Sequence, residues 1–263
     1  MNAHALLCAL KERLQDLAAA ALQSVEVAVL DSGLDASHPD LAGRVVSAHR
    51  VDTVDGRPTV VDVPLGTNND AYGHGTGVGS IIARIAPNAR LVDIRVLGQD
   101  NRGSGVALVE GLRFAVGRGS RLVNMSLAAS ASFAQSIFSL CERAYYRNQI
   151  LVASKRNMPL TDLGFPAEFS SCISVDNEPL PSPLALLYRP DTQIEYAADG
   201  EGVVVAAPGG QYTTVTGTSF ATPAVTGLCA LIVGAHPDLR PFEVKALLKA
   251  FALDQSQLGP TAP

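Results

Sequence analysis

The sequence predicts an α/β fold with three layers, in which helices cover both faces of a mostly parallel central sheet. Apolar, β-branched runs recur along the chain and alternate with stretches of helical periodicity, as in parallel sheets that are buried on both sides. Of the residues, 47% are hydrophobic and only 17% are charged, and 23 glycines allow tight turns. The 263 residues contain no dividing linker, so we predict a single domain over 1–263.

The first predicted element is an amphipathic helix at the N-terminus. Leucines recur at helical spacing between residues 3 and 22, with charged residues between them, so an N-terminal helix is predicted within 1–24. The core is predicted over 25–250, followed by a C-terminal tail over 251–263. Six apolar runs are predicted as strands: 25–30, 91–97, 122–127, 150–153, 172–175 and 203–206. Five further stretches are predicted as helices: 74–85, 105–117, 133–147, 219–235 and 241–251.

Charge and composition exclude several classes of partner. The net charge is −5 and the 20 basic residues are scattered, which argues against binding to nucleic acid or to an anionic membrane. No uninterrupted apolar run has the length of a bilayer span, and no basic segment precedes the first apolar residues. A cytoplasmic protein is therefore expected. The cysteines lack metal-site spacing and are predicted to be free, mostly buried thiols: Cys8, Cys141, Cys172 and Cys229.

Three segments each place a reactive side chain among glycines and other small residues. Asp31 ends the first predicted strand, His74 opens a predicted helix between two glycines, and Ser219 opens the apolar helix near the end of the chain. Acyl transfer needs these three groups: a hydroxyl nucleophile, an imidazole base and a buried carboxylate that orients the imidazole. Backbone N–H groups at a helix start have no intrahelical partner and can hold an oxyanion. We therefore predict Asp31, His74 and Ser219 as catalytic residues.

Each residue also has an ordinary interpretation. Ser219 alone fits a helix cap, His74 a packed histidine, and Asp31 a turn at the end of a strand. A nucleotide-binding enzyme is a further alternative, suggested by the glycines between 73 and 79. However, Val78 stands where the last glycine of the phosphate-binding motif belongs, and no apolar strand precedes the segment.

The three segments, in the order Asp, His, Ser, resemble those of the subtilisin-like serine peptidases. The resemblance covers roughly 25–250 and is carried by three motifs: Val27-Ala28-Val29-Leu30-Asp31-Ser32-Gly33 with the downstream His38-Pro39-Asp40-Leu41, Gly73-His74-Gly75-Thr76-Gly77-Val78, and Gly217-Thr218-Ser219-Phe220-Ala221-Thr222-Pro223. It implies a serine endopeptidase that hydrolyses peptide bonds through an acyl-enzyme.

The resemblance also implies roles for residues outside the triad. Asn157 is implied as the donor of a side-chain hydrogen bond to the oxyanion. The resemblance further implies that an extended peptide binds between two walls of a cleft and pairs with them as an added strand. The implied substrate-binding residues are Gly103, Ser104, Ser126, Leu127, Ala128 and Gly164. A monomer acting on a peptide or protein is expected.

The chain departs from the family pattern in four places. Arg156 replaces the glycine before the oxyanion asparagine, and would be strained if that position needed a positive φ. Ala128 and Ala129 replace two glycines and should narrow the cleft. The helix over 74–85 lacks the inserted loop that helps to bind calcium, which leaves Asp40 without partner ligands, so no metal and no cofactor is expected. The large pro-domain of secreted relatives is not seen ahead of the first strand.

These departures favour an intracellular processing or maturation peptidase of restricted specificity. The alternative is a catalytically impaired relative that keeps the cleft and binds peptides without hydrolysing them.

Overall fold

A computed structural model of the chain describes residues 22–157 and 164–253. Residues 1–21 of the predicted N-terminal helix and residues 254–263 of the predicted tail lie outside the described residues. The described strands are β1 (Val25–Asp31), β2 (Val45–Val54), β3 (Arg57–Val63), β4 (Ala89–Arg95), β5 (Leu122–Met125), β6 (Ile150–Ser154), β7 (Ile173–Asn177), β8 (Leu186–Tyr188), β9 (Tyr196–Ala198), β10 (Val203–Ala207) and β11 (Gln211–Val215). The described helices are α1 (His74–Ile85), α2 (Gly105–Arg118), α3 (Ala134–Tyr146), α4 (Thr218–Ala235) and α5 (Pro241–Phe251).

Nine of these strands form one sheet, in the order β3-β2-β4-β1-β5-β6-β7-β9-β8. The seven inner strands are parallel, and β3 and β8 add an antiparallel strand at each edge. β1 lies between β4 and β5 in this order, because the chain adds strands first on one side of β1 and then on the other. The carboxyl end of β1, where Asp31 lies, is therefore a switch point of the sheet.

Helices cover both faces of the sheet, as the sequence predicts. Alternate side chains of β1 divide between two apolar clusters: Val27 and Val29 pack on the side of α1, α4 and α5, and Ala28 and Leu30 on the side of α2 and α3. The two-residue repeat of a strand makes this division. Strands buried on both faces have to be apolar at every position, which is why they read as continuous runs.

The structure corrects the predicted strands in two respects. The run at 203–206 does form β10, but β10 pairs only with β11 in a separate antiparallel sheet and does not join the parallel sheet. The β2–β3 hairpin was not predicted, although its turn residues Asp55 and Gly56 are a recognised hairpin signal and both have a positive φ. The helices begin and end within two residues of their predicted limits.

The helix α4 forms the centre of one helical layer. By length and composition alone this helix could cross a membrane, which the search for uninterrupted apolar runs did not anticipate, but most of it is buried inside the fold. Its apolar character follows from contact with several strands and with α1. Cys141, Cys172 and Cys229 are free and buried, as predicted, and Cys8 lies outside the described residues.

Candidate active site

Asp31 and His74 come together at the carboxyl end of β1. Asp31 is the last residue of its strand and 1% exposed, and His74 is the first residue of α1. His74 Nδ1 lies 2.7 Å from Asp31 Oδ1. The close approach depends on Gly75, where a Cβ atom would lie 2.1 Å from the carbonyl oxygen of Gly33. A side chain at position 75 would therefore push α1 and His74 away from the strand.

Hydrogen bonds hold the carboxylate of Asp31 in place. Its Oδ1 also accepts from the backbone N–H of Ser32 at 2.7 Å and from the Ser32 hydroxyl at 3.2 Å. Burial lowers the pKa of His74, but the charge and hydrogen bond of Asp31 and the charge of Asp70 outweigh it, so the pKa of His74 lies above its ordinary value. The pair can therefore stabilise an imidazolium that carries a proton taken from a substrate or a nucleophile.

Ser219 reaches the same cleft from the first turn of α4. Gly217, with φ +150°, precedes the helix and turns the chain into it. The ring of Phe220 packs against the imidazole of His74 with 5.2 Å between centroids. The Ser219 hydroxyl donates to the carbonyl oxygen of Ser126 at 3.0 Å. The O–H must therefore turn away from Ser126 before it can donate to His74.

Asn157 lies beside the start of α4 in an orientation suited to a donor. Its Oδ1 accepts from the Thr218 hydroxyl at 3.0 Å, and Thr218 also contacts the carbonyl oxygen of Lys155 at 2.9 Å. With the amide oxygen held in this way, Nδ2 is left for another acceptor. The N–H of Ser219, near the start of the helix, lacks an intrahelical partner. The amide of Asn157 and the first turn of α4 with Ser219 therefore line the same cleft.

These residues line a cleft of about 480 Å³. Its walls include five of the six predicted substrate-binding residues, with His74 and Ser219 between them: Gly103, Ser104, Ser126, Leu127 and Ala128. Sequence analysis missed other lining residues that have no motif to mark them: Val96, Leu97, Asn101 and Phe133. Such residues are gathered by the ends of strands and by loops, and only the fold shows them.

Gly164 and Arg156 differ in their relation to the cleft. Gly164 is not among the described lining residues, and a Cβ atom on it would be 2.7 Å from Cβ of Ala128 and 3.0 Å from Cβ of Arg156. Arg156 itself lines the cleft and donates through Nη2 to the carbonyl oxygen of Ala129 at 2.6 Å. The described non-glycine residues with a positive φ are Asp55, Asn69, Asn101 and Asn148. Arg156 is not one of them, so the expected backbone strain before Asn157 is absent.

Asp40 hydrogen-bonds within the protein. Its Oδ1 accepts from the hydroxyl of Tyr212 at 2.8 Å, which raises the pKa of the tyrosine. Within 22–157 and 164–253, no three His, Cys, Asp or Glu side chains form a group that could hold a metal ion.

A further buried acid lies behind the Asp31–His74 pair. Asp93 of β4 is 1% exposed, and its Oδ2 accepts from Asn68 Nδ2 at 2.8 Å, while its Oδ1 has no hydrogen-bond partner in the described part of the chain. Burial raises the pKa of Asp93 from 3.8 to about 7. The charges of Asp70 and Asp31 raise it further, whereas hydrogen bonds from Asn68 and from the backbone of Leu34 lower it. Asp93 therefore takes up a proton near neutral pH.

Replacing Asp93 with asparagine should stabilise the protein in a pH-dependent way. The folded-state pKa of Asp93 is raised, so its contribution to stability is present below the unfolded pKa and is lost as the pH rises towards 7. Asp93→Asn should therefore raise the free energy of unfolding by about 4 kcal/mol near pH 8, since about three pKa units at about 1.4 kcal/mol each are involved, and by little near pH 4. Denaturant unfolding in a Ser219→Ala background measures this without self-digestion, and the exposed Asp191→Asn is the control. A gain equal at both pH values would contradict the assignment.

A second Ser–His–Asp arrangement occurs on the β2–β3 hairpin. His49 contacts Asp62 Oδ1 through Nδ1 at 2.7 Å and Ser47 Oγ through Nε2 at 3.1 Å. None of the three residues lines the cleft. The arrangement shows that the hydrogen-bond pattern alone does not define a hydrolytic site, which also needs oxyanion donors and room for a substrate.

The doubly covered parallel sheet, the Asp31–His74 pair and the serine at a helix start in a shared cleft together define the subtilisin class of serine endopeptidases. The chain belongs to the subtilase family, since the model of the subtilase family (peptidase S8) matches residues 23–261. The family resemblance stated from the motifs is thereby confirmed.

Individual relatives agree with this placement. The chain is 31% identical to alkaline elastase YaB from Bacillus sp. (strain YaB) over 86% of its own length, and 30% identical to subtilisin BL from Lederbergia lenta over 90%. It spans 58% of the length of the elastase and 85% of that of subtilisin BL. The solved structure of sphericase superimposes with a TM-score of 0.71 at 25% identity, covering 85% of this chain and 81% of sphericase.

Proposed function

We propose that the chain is a serine endopeptidase that hydrolyses peptide bonds through Ser219, His74 and Asp31. The observation that carries the proposal is the 2.7 Å contact between His74 and the buried Asp31, in a cleft that also presents Ser219 and the amide of Asn157. The substrate is proposed to be a peptide or protein segment that lies in this cleft as an extended strand.

In the proposed reaction, His74 Nε2 takes the proton from Ser219 Oγ as that oxygen bonds to the scissile carbonyl carbon. The carbonyl oxygen becomes an anion, which the N–H of Ser219 and the Nδ2 of Asn157 stabilise. The imidazolium, stabilised by Asp31, returns its proton to the departing amine, and the carbon–nitrogen bond breaks. Water then attacks the acyl-enzyme with His74 again as the base, releasing the acid and Ser219.

The direct test uses a peptide library. The protein and its Ser219→Ala variant are incubated with the library, and new termini are identified by mass spectrometry. The proposal expects cleavage by the parent protein and none by the variant, and equal product patterns would overturn it.

A peptide-binding relative without turnover is the second candidate. The observation in its favour is that the Ser219 hydroxyl donates to Ser126 and not to His74. Hydrogen bonds of this kind often form only when substrate is bound, so the observation is compatible with activity. Library peptides that bind both forms of the protein and remain intact would favour this candidate.

The specificity is proposed to be restricted to small side chains before the scissile bond. The Cβ atoms of Ala128 and Arg156 both lie close to Gly164, and the guanidinium of Arg156 donates to the carbonyl oxygen of Ala129, so both side chains form part of the wall of the cleft. Less room is left than with glycine at these positions. The restriction is steric and does not depend on the charge of Arg156.

Shortening Arg156 should therefore widen the substrate range. Arg156→Ala should raise kcat/KM for peptides with Phe or Leu before the cut by about tenfold relative to the matching Ala peptide. Kinetics on the three peptides measure this ratio. Arg113→Ala, which removes an exposed arginine of α2 paired with Glu110, is the matched control. If Arg156→Ala keeps the parent ratio, the steric assignment is wrong.

We also propose a cytoplasmic, monomeric processing or maturation peptidase that needs no calcium at Asp40. The location can be tested at Cys141 and Cys172, because their sulfur atoms lie 3.6 Å apart and an oxidising compartment would favour a disulfide between them. Alkylation in intact cells would reveal a disulfide if the location is wrong. Activity lost on adding a calcium chelator would contradict the metal-free proposal, and light scattering tests the monomer.

A further inference from the structure

Asp70 is a buried carboxylate that no motif marks as functional. It is 3% exposed and lies in the loop that leads into α1. Its Oδ1 accepts from the Ser32 hydroxyl at 2.8 Å and from the N–H of Gly73 at 2.9 Å. Its Oδ2 accepts from the N–H and the hydroxyl of Thr76 at 2.7 and 2.6 Å. Four donors on one buried carboxylate fix it in position.

These contacts hold the first turn of α1. The helix has Gly73 at its N-cap, which offers no side chain, and no acidic residue in its first turn. Asp70 supplies the missing acceptor for two N–H groups, and the Ser32 hydroxyl accepts from a third, that of Gly75, at 3.0 Å. A negative group is favourable at a helix N-terminus. Because His74 is the first residue of this helix, the position of its ring depends on that turn.

Asp70 also places a second negative charge near the imidazole. The Ser32 hydroxyl contacts both acids, at 2.8 Å to Asp70 Oδ1 and 3.2 Å to Asp31 Oδ1. The acids that act on His74 are Asp31 from β1 and Asp70 from the loop, and Phe220 from α4 covers the ring without charge. Asp93 from β4 lies further behind, and Arg95 binds the carbonyl oxygen of Asn68.

We propose that Asp70 is a positioning residue for His74, which fixes the first turn of α1 and adds a second negative charge behind the Asp31–His74 pair. This inference rests on the proposed function. Asp70 does not touch the substrate. It acts by setting the position and the basicity of the His74 imidazole.

The test is Asp70→Asn, which keeps the size of the side chain and removes its charge. We expect kcat to fall about tenfold or more, with KM changed less than about twofold, because the base is misplaced while the cleft walls stay. Without the charge of Asp70, the pKa of His74 should fall. Since only neutral imidazole accepts the proton, the acid limb of the kcat/KM profile should move about half a unit to lower pH.

Two controls separate this role from a structural one. Asp93→Asn removes a neighbouring buried acid that accepts from Asn68 and does not act on the pKa of His74, and should leave the acid limb in place. Asp70→Glu restores the charge and should return the limb towards its parent position. Rates are normalised to the fraction of molecules labelled by a serine-directed phosphonate, so that loss of folded protein does not count as loss of kcat. An unmoved acid limb in Asp70→Asn overturns the proposal.

A second variant covers the case in which Asp70→Asn does not fold. Thr76→Val keeps the charge and removes the hydroxyl that donates to Asp70 Oδ2 and accepts from the N–H of Asp35, so kcat should fall several-fold while the acid limb stays in place. Parent-like kcat in Thr76→Val would then overturn the proposal. The parent protein separates this result from failure of the proposed function, which appears as absence of hydrolysis before any variant is compared.

Discussion

Replacing Ser219 with alanine is expected to lower kcat about 10⁶-fold, the loss found in subtilisin itself, a member of the same family, when its nucleophile is removed. The reason is that the proposed route through an acyl-enzyme needs an oxygen that both gives a proton to His74 and bonds to the carbonyl carbon. The oxyanion donors and the cleft remain in the variant, so a residual acceleration of about 10³–10⁴ over water is expected. Hydrolysis of an unstructured protein such as casein measures the loss.

Labelling by a serine-directed phosphonate identifies the nucleophile independently of turnover. Mass spectrometry should find the label on Ser219 in the parent protein and no label in Ser219→Ala. Ser47→Ala is the matched control, because Ser47 also contacts a histidine that is paired with an aspartate, yet lies outside the cleft. This variant should be labelled like the parent. A label on Ser47, or no label on folded parent protein, would refute the assignment of the nucleophile.

Removing the amide of Asn157 is expected to have the next largest effect. Asn157→Ala should lower kcat by about 10²–10³ with little change in KM, because the lost hydrogen bond forms with the oxyanion and not with the ground-state substrate; this magnitude also comes from subtilisin. Steady-state kinetics on one peptide separate the two constants.

The orientation of this amide can be tested on its own. Thr218→Val removes the hydroxyl that holds the amide oxygen of Asn157 and should lower kcat less, by about tenfold. We expect Asn157→Ala to lower kcat more than Thr218→Val does. Asn157→Ala within about threefold of the parent would mean that another group stabilises the oxyanion.

The helices were predictable because their signals are local. The limits of α1 and α5 agree with the sequence interpretation, since periodicity and flanking glycine or proline residues are contained in the segments themselves. The strands β8, β9 and β11 were not predicted. β11 is exposed or half-buried along its whole length, and its pairing with β10 depends on a neighbour and not on its own pattern.

The site was predictable to different degrees. Asp31, His74, Ser219 and Asn157 each lie in a short segment that resembles a family motif, and the structure gathers them around one cleft. Asp70 was missed because no motif marks it, and its contact with the Ser32 hydroxyl, 38 positions away, forms only when α1 packs against β1. Arg156 was interpreted as a source of strain, whereas the fold makes it part of the wall of the cleft.

The sequence by itself determined the layered α/β fold and the family, because burial on both faces of a parallel sheet forces continuous apolar strands, and the segments around Asp31, His74 and Ser219 carry the resemblance. Only the tertiary structure decided that Asp31 and Asp70 both act on His74, where the Ser219 hydroxyl points, and how Ala128 and Arg156 shape the cleft. Those properties depend on distances of a few ångströms between segments far apart in the chain, and hydrogen bonding and steric fit are set at that range.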